Sequence, residues 1–296
     1  MDRTQKFAFG SLAVSLIVLA TKAGAYQLTG SVALYSDAIE SVINVATAVA
    51  AILAIGIAVR PADAGHPYGH HKAEYLSAVI VGALIIVAAV AILREAYLGF
   101  LAPATLDAPW QGIAVNVAAT ALNAVWSAVL VREGRKARSA ALSADGKHLL
   151  ADVVTSLGVA VGVGLVALTG VKPLDAGIAA LVALYVLWSG WRVVTENVGG
   201  LMDEAAPPGD LERIRAIISE NAGGSLEAHE LRTRHAGQAI FIDFHLVVAG
   251  TMSVADAHGI CDAIEAAVVE EFPGAVVVIH VEPAEKAKHK GVIVLG

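Results

Sequence analysis

Cysteine is almost absent from this chain: its 296 residues include only one, Cys261. A single cysteine excludes a disulfide framework within the chain and also excludes a cysteine-rich metal cluster. We expect Cys261 to be a small buried residue on a helix. Any metal chemistry must therefore depend on histidine and carboxylate side chains.

Charged side chains are also scarce, at 16% of the residues, whereas hydrophobic residues make up 57% and the mean hydropathy is +0.69. This composition excludes an ordinary soluble domain and indicates a chain that lies mostly in a membrane, in contact with lipid. The first apolar run lacks a small-residue cleavage site and is followed by further runs, so we expect no cleavable signal peptide.

The few charges are distributed unevenly along the chain. Residues 203–285 carry a net charge of −11, whereas the remaining residues carry +4. The chain therefore divides into a mildly basic membrane part and an acidic soluble tail. An acidic tail argues against a nucleic-acid partner and is compatible with the attraction of cations.

Six apolar runs each reach the roughly 20 residues that span a bilayer. They predict transmembrane helices at about 8–28, 31–58, 75–99, 110–132, 139–169 and 174–200. Basic residues concentrate before the first run and in the connectors after the second and fourth runs, and the alternate connectors hold almost none. The positive-inside rule then places both termini in the cytoplasm.

Beyond residue 201 the pattern changes to short segments with polar breaks. It predicts helices at 211–219 and 253–272 and strands at 230–233, 239–248 and 275–281. The predicted fold is an all-α membrane bundle of six transmembrane helices followed by a cytoplasmic α+β domain with the order α-β-β-α-β. We place the transmembrane domain at 1–203, the cytoplasmic domain at 204–285 and a tail at 286–296.

Two of the predicted transmembrane helices carry ionisable side chains at membrane depth. His148 and Asp152 are four residues apart and share a helical face, as do Glu40 and Asn44. Glu40 and His148 each come about nine residues into a span from opposite sides, so both lie roughly 13 Å deep. An ionisable group there costs about 3 kcal/mol, which favours a functional role. The alternative is a polar contact that locks helix to helix.

These four side chains offer three oxygens and one nitrogen, a four-coordinate set suited to Zn²⁺ and tolerable to other first-row divalent ions. The formal charges of Glu40 and Asp152 balance a divalent cation. Imidazole has an unperturbed pKa near 6.5, so His148 can bind either a metal or a proton in the physiological range. That competition is the chemistry that a proton-for-metal exchanger requires.

Two further groups offer metal ligands. Pro67 and Gly69 prevent a regular helix in the connector after the second span. His66 and His70 can then converge with Asp63 in a tight turn, although a solvated or headgroup-facing surface is an equal alternative. The cytoplasmic domain holds four histidines and one carboxylate, and a single histidine is usually an ordinary surface or core residue. This third group is His229, His245, His258, His280 and Glu282.

Four stretches together resemble the cation diffusion facilitator family, and most closely its bacterial zinc and iron efflux branch. They are Leu34-Tyr-Ser-Asp-Ala-Ile-Glu-Ser41, His66-Pro-Tyr-Gly-His-His-Lys-Ala-Glu74, His148-Leu-Leu-Ala-Asp152 and His229-Glu-Leu-Arg-Thr-Arg234. The resemblance covers about Phe7 to Pro283. The combination is highly specific, although no single motif is.

The resemblance implies a homodimer in a bacterial-type inner (cell) membrane, with six spans per protomer and a metallochaperone-like cytoplasmic domain. It implies export of a divalent metal, with Zn²⁺ first, in exchange for protons, and a second role of the metal as a regulatory ligand. It also implies a salt bridge between Lys72 and Asp203 near the dimer axis. The implied sites are a transport site (Glu40, Asn44, His148, Asp152), a loop site (Asp63, His66, His70) and a cytoplasmic binuclear site (His229, His245, His258, His280, Glu282).

The chain departs from the family pattern at three positions. Glu40 and Asn44 stand where this branch usually has two aspartates, and Glu282 also replaces an aspartate. A neutral amide in place of an anionic ligand predicts lower metal affinity and leaves Fe²⁺, Mn²⁺, Co²⁺ and Cd²⁺ as alternative substrates. Asp37, one turn before Glu40, could partly compensate.

Two other classes fit the sequence less well. An intramembrane metallohydrolase needs a catalytic base beside an open metal position, and the chain has no His-Glu-x-x-His motif. A metal sensor without transport leaves the ionisable side chains at membrane depth unexplained. We therefore expect a proton-coupled exporter of divalent metal and not an enzyme.

Overall fold

The computed structural model describes residues 3–29, 32–101, 110–171 and 173–288. The chain divides into two compact units, Met1–Val198 and Gly199–Gly296. Six long helices form the first unit, apart from the last residues of the sixth, and an α+β module forms the second. The predicted fold class, a helical membrane bundle followed by an α+β domain, is confirmed.

The six long helices correspond to the six predicted spans. Four of them, α1, α2, α3 and α6, contain windows that are apolar and long enough to cross a membrane within the described residues. The helices are α1 (Arg3–Thr29), α2 (Val32–Ala58), α3 (Ala73–Leu101), α4 (Trp110–Lys136), α5 (Ala140–Thr169) and α6 (Pro173–Leu201).

Helix α5 lies at the centre of the helical unit. One stripe of α5, with Leu142 and Leu149, packs into a buried cluster with α1, α2 and α4. A second stripe, with Ala144 and Ala151, packs against α3 and α6. Residues seven apart recur on the same face of a helix, so each pair marks one continuous stripe. Because α5 is enclosed on both sides, its polar side chains must find partners inside the protein.

Helices α4 and α5 approach each other closely where glycines remove the side chain. A Cβ atom at Gly146 would lie 2.9 Å from the backbone N of Val131, and one at Gly134 would lie 2.8 Å from the backbone N of Ser143. Small residues allow helix backbones to come this near, which is a common way to pack helices in membranes.

The second unit is a three-stranded sheet covered on one face by two helices. Its elements are α7 (Pro208–Asn221), β1 (Glu227–Ala236), β2 (Ala239–Val248), α8 (Val254–Glu271) and β3 (Ala275–Pro283). The strand order is β1-β2-β3, with β1 antiparallel and β3 parallel to β2. β1 begins three residues before the predicted strand, so His229 lies within it and not ahead of it.

Apolar side chains from both helices and from the sheet form the core of this unit. Ile214 and Ile218 of α7 and Ile264 of α8 are fully buried against Ile242 and Phe244 of the central strand β2. Complete burial of such side chains contributes roughly 1.5–3 kcal/mol each. The core therefore fixes the sheet on which the cytoplasmic histidines are carried.

The close approach of α4 and α5 gives a test of the helix packing. Gly146→Ala should lower the melting temperature of the detergent-solubilised protein, because the added methyl group meets backbone atoms that cannot rotate away. Overpacking of this kind costs about 1–3 kcal/mol. Gly56→Ala in α2 is the matched control, since a Cβ there has nothing within 4 Å. Equal melting temperatures for the two variants would contradict this packing.

Candidate metal centres

Three helices of the bundle meet at the carboxylate of Asp152. Its Oδ2 accepts hydrogen bonds from Asn44 Nδ2 of α2 at 3.3 Å and from Asn123 Nδ2 of α4 at 2.7 Å. All three side chains are buried. The structure thus brings together the Asn44 and Asp152 pair that the sequence singled out, and it adds an amide from a third helix.

Several polar atoms around this carboxylate have no hydrogen-bond partner among the described residues. They are Asp152 Oδ1, Asn44 Oδ1, Asn123 Oδ1 and both ring nitrogens of His148, which is buried one turn before Asp152 on α5. Buried polar atoms are normally paired, because their desolvation is otherwise uncompensated. A divalent cation can satisfy carboxylate oxygen, amide oxygen and imidazole nitrogen together, so the donor set fits such a substrate.

The remaining predicted member of this set is Glu40. Its backbone lies in α2, one helical turn before Asn44, and its side chain lies outside the described residues, as does that of Asp37. Residues four apart share a helical face, so the backbone places Glu40 on the same side of α2 as Asn44.

A second buried carboxylate, Asp145, lies on α5 two turns before Asp152. Its Oδ2 accepts a hydrogen bond from Ser11 Oγ of α1 at 2.5 Å, and its Oδ1 accepts one from Thr47 Oγ1 of α2 at 3.2 Å. Thr47 is three residues after Asn44, so both carboxylates of α5 contact the same stripe of α2. Asp145 therefore ties α1 and α2 to α5 beside the candidate site.

Sequence reasoning missed both Asn123 and Asp145. Asn123 carries no charge and lies in a run without Asp, Lys or Arg, so a search for ionisable groups passed over it. Asp145 carried a usable signal, because it precedes His148 by three residues and Asp152 by seven and therefore shares their helical face.

A second candidate centre lies in the connector between α2 and α3. His66 Nδ1 is 3.2 Å from Asp63 Oδ1, and His70 Nε2 is 3.4 Å from Asp63 Oδ2. Gly69 adopts φ = 82° and its N–H donates to the carbonyl of His66 at 2.9 Å, so the connector turns tightly. The three residues each offer a ligand atom, and these atoms lie within 4.8 Å of one another.

Backbone groups of the connector also stabilise the charged form of the Asp63 carboxylate. The backbone N–H of His66 donates to Asp63 Oδ1 at 2.7 Å, and that of Gly65 donates to the same atom at 2.8 Å. The His66 hydrogen bond is the main reason why the pKa of the Asp63 carboxyl lies below its ordinary value. Asp63 is therefore an anion at neutral pH, as a metal ligand must be.

The third candidate centre is a row of histidines across the sheet. His229 of β1 pairs in register with His245 of β2, which pairs in register with His280 of β3. The ring centroids are 5.3 Å apart for the first pair and 4.9 Å apart for the second. One imidazole from each strand thus lies on the same line across the sheet.

Glu282 lies at the centre of this row. Its Oε2 is 3.4 Å from His229 Nε2, and its Oε1 is 3.4 Å from His245 Nδ1 and 3.8 Å from His280 Nε2. Ligand atoms of His229, His245 and Glu282 all lie within 4.8 Å of one another. A carboxylate that presents one oxygen to each of two histidines is suited to bridging two cations.

Two predicted residues lie apart from this group. His258 is on α8, where its Nε2 is 3.6 Å from Asp262 Oδ1 and its side chain is 71% exposed. Asp203 Oδ1 accepts a hydrogen bond from Arg234 Nη1 at 3.1 Å within the second unit. The salt bridge between Asp203 and Lys72 stays a prediction.

Comparisons with known proteins cover both units. The family model described as "Cation efflux transmembrane domain" matches residues 8–202, and that described as "Cation efflux protein, cytoplasmic domain" matches residues 206–284. The protein named uncharacterized transporter sll1263, from Synechocystis sp. (strain PCC 6803), is 43% identical over 282 residues, covering 95% of this chain and 91% of its own length. The cation-efflux pump FieF of Serratia proteamaculans is 33% identical over 279 residues, covering 93% of this chain and 91% of its own length. A solved structure of CzrB, described as a candidate zinc transporter, in its Zn form is 48% identical, covering 29% of this chain and 99% of that chain with a TM-score of 0.28.

These matches extend over nearly the whole chain. The cytoplasmic match is to a dimerisation domain, so the chain forms homodimers. The transmembrane match and the apolar helices make it a multi-pass inner-membrane protein. The resemblance seen in the sequence motifs is confirmed: the chain belongs to the cation diffusion facilitator family, whose members are transporters of metal cations and not enzymes.

Proposed function

We propose that this protein exports a divalent metal cation, Zn²⁺ foremost, from the cytoplasm in exchange for protons. The observation that carries the proposal is the buried set around Asp152, in which Asp152 Oδ1, Asn44 Oδ1 and both ring nitrogens of His148 have no hydrogen-bond partner among the described residues. Mixed oxygen and imidazole ligands suit Zn²⁺. FieF, a relative over almost the full length, is named a cation-efflux pump.

In this proposal Glu40, Asn44, His148 and Asp152 hold the substrate inside the bundle. Asn123 does not need to contact the metal. Its amide donates to Asp152 Oδ2 at 2.7 Å, which leaves Oδ1 of the same carboxylate for the cation. Partners of this kind orient a ligand and tune its affinity for the metal.

Burial makes metal and protons compete for the same side chains. His148 and Asp152 lie within an apolar bundle, where an uncompensated charge is expensive. A bound cation compensates the carboxylate and uses the neutral imidazole, whereas protonation of both groups removes the ligands. Exchange of one occupant for the other therefore couples metal export to proton entry.

The cytoplasmic unit supplies the regulatory part of the proposal. With both termini in the cytoplasm, the predicted binuclear site samples cytoplasmic metal through His229, His245, His280 and Glu282. His258, which lies apart from them on α8, is its predicted fifth ligand. Residues 203–285 carry a net charge of −11, so the two copies in a homodimer repel each other. Metal bound among these histidines reduces the repulsion and biases the dimer toward a different arrangement. The loop site of Asp63, His66 and His70 is a third binding position.

The first test of this proposal is transport by the purified protein. Proteoliposomes with an acidic lumen and a luminal metal-sensitive dye should take up Zn²⁺, and parallel assays with Fe²⁺, Mn²⁺, Co²⁺ and Cd²⁺ rank the substrates. The double variant His148→Ala, Asp152→Ala should lose the uptake, because it removes the imidazole and the carboxylate of the set. Asp243→Ala, at an exposed position of β2, is the control and should transport normally. Uptake at the wild-type rate by the double variant would falsify the proposal.

The neutral amide of Asn44 gives a second prediction. Asn44→Asp adds an anionic ligand 3.3 Å or so from Asp152 Oδ2, near the position of the present amide nitrogen. The KM for Zn²⁺ should fall on the order of tenfold, because affinity rises with the charge of the ligand set. Initial uptake rates over a range of Zn²⁺ concentrations measure this change. A KM equal to or above that of the wild type would show that Asn44 is not part of the binding set.

The contact between α4 and the carboxylate gives a third prediction. Asn123→Ala removes the shorter of the two hydrogen bonds to Asp152. Uptake of Zn²⁺ at low concentration should fall by about 10–100-fold, as for other partners that orient a metal ligand. Thr120→Ala, at a buried position one turn earlier on α4, is the matched control. If both variants transport equally well, Asn123 has no role in substrate binding.

A further inference from the structure

Two carboxylates that the sequence did not single out contact the histidine row from its outer side. Glu227 Oε1 lies 2.9 Å from His229 Nδ1, and Glu230 Oε2 lies 3.8 Å from His245 Nε2. Both glutamates belong to β1. Glu227 and His229 are almost completely buried, so their contact is sheltered from water.

Each of these two imidazoles therefore has one nitrogen toward Glu282 and the other toward an outer carboxylate. His229 presents Nε2 to Glu282 and Nδ1 to Glu227. His245 presents Nδ1 to Glu282 and Nε2 to Glu230. A histidine that binds metal through one nitrogen commonly donates its other N–H to a carboxylate, which fixes the tautomer and the ring orientation.

The backbone of β1 is distorted at the residue that makes this arrangement. The pairing of β1 with β2 shifts between His229 and Arg232, which places one extra residue on β1. Within this bulge Glu230 adopts φ = 54°, a conformation that non-glycine residues rarely adopt. In a regular strand Glu230 would point to the face opposite His229, and a bulge re-aims a side chain. Such distortions are common beside functional sites.

Cationic and backbone groups already hold the outer carboxylates. The backbone N–H of Lys288 donates to Glu227 Oε1 at 2.9 Å, and the Lys288 ammonium contacts Glu230 Oε1. Arg232 Nη2 is 3.4 Å from Glu230 Oε2. Two cations beside Glu230 compensate its charge, so it is better placed to orient His245 than to bind a metal itself. The contact of Glu227 Oε1 with His229 Nδ1 is short, at 2.9 Å, but it is an ion-pair distance without hydrogen-bond alignment.

We propose that Glu227 and Glu230 are positioning residues for the cytoplasmic metal site. They hold the outer nitrogens of His229 and His245 as N–H donors, so that the inner nitrogens stay deprotonated and directed at Glu282. Lys288 contacts both carboxylates from outside the row, Glu227 through its backbone N–H and Glu230 through its ammonium group. This inference rests on the proposed binding of regulatory metal by the cytoplasmic histidines, and it adds two residues to that site without adding ligands.

The test measures metal binding by the full-length protein in detergent. A background variant, Asp63→Ala with Asp152→Ala, removes a carboxylate from each of the other two centres. Zn²⁺ affinity is measured by competition with a chromophoric chelator, Co²⁺ coordination by visible absorption, and metal-free stability by thermal unfolding. Glu227→Gln and Glu230→Gln should each weaken Zn²⁺ binding by about 10–100-fold, with an unchanged Co²⁺ band shape and an unchanged metal-free melting temperature.

Controls separate this inference from the function on which it rests. Glu212→Gln on α7, at an exposed position, should leave the affinity unchanged, and Glu282→Ala should abolish binding. If Glu282→Ala still binds Zn²⁺ normally, the cytoplasmic site itself is wrong. If Glu282→Ala loses binding but Glu227→Gln and Glu230→Gln do not, only the positioning role is overturned. An altered Co²⁺ band would show that the glutamates are metal ligands. A lower metal-free melting temperature would show that they are needed for stability. Either result would overturn the positioning role.

Discussion

The need to give a buried carboxylate its partners organises the helical unit. Asp152 is enclosed on α5 and cannot be hydrated as it would be at a surface, so α2 and α4 supply the amides of Asn44 and Asn123. Asp145 repeats the arrangement two turns earlier with hydroxyl groups from α1 and α2. The contacts that fix the rotation of α5 in the bundle are thus the contacts that shape the candidate transport site. In the proposed function, packing and substrate binding therefore depend on the same few hydrogen bonds.

In the cytoplasmic unit the candidate site is positioned in a different way, because it lies on a sheet and not between helices. There the geometry follows from strand register: His229, His245 and His280 are cross-strand partners, and Glu282 follows two residues after the last of them. The apolar core on the helix-covered face holds this register. The bulge in β1 then adds Glu230 to the surroundings of the row. The strand register positions the three histidines, and the bulge brings the Glu230 carboxylate beside them.

The sequence was sufficient to predict the elements and two ionisable members of the candidate transport site, His148 and Asp152, although Asp145 on the same helix was missed. His148 and Asp152 could be found because charge in an apolar helix is costly, and the apolar runs predicted all six long helices. Asn123 could not be found in the same way, because a neutral amide gives little signal and its partner lies on another helix. Glu230 depends on a bulge, which arises from tertiary contacts and has no local periodicity. Glu227 shares the face of His229 by ordinary strand alternation, but the predicted strand began at residue 230 and excluded both. The unusual pair of Glu40 and Asn44 was visible from the sequence. Its effect on substrate choice depends on how strongly these two side chains bind one divalent metal compared with another, which the sequence pattern does not determine.

The in-register row of three imidazoles also links folding to the metal supply. A slip of one residue between neighbouring strands would turn every side chain of a strand to the opposite face, so the row exists in one pairing only. A metal that binds this row stabilises that pairing over every slipped alternative by mass action. If the proposed regulatory metal binds there, a rise in cytoplasmic metal would therefore increase the fraction of correctly paired sheet, so that the cargo would stabilise its own exporter.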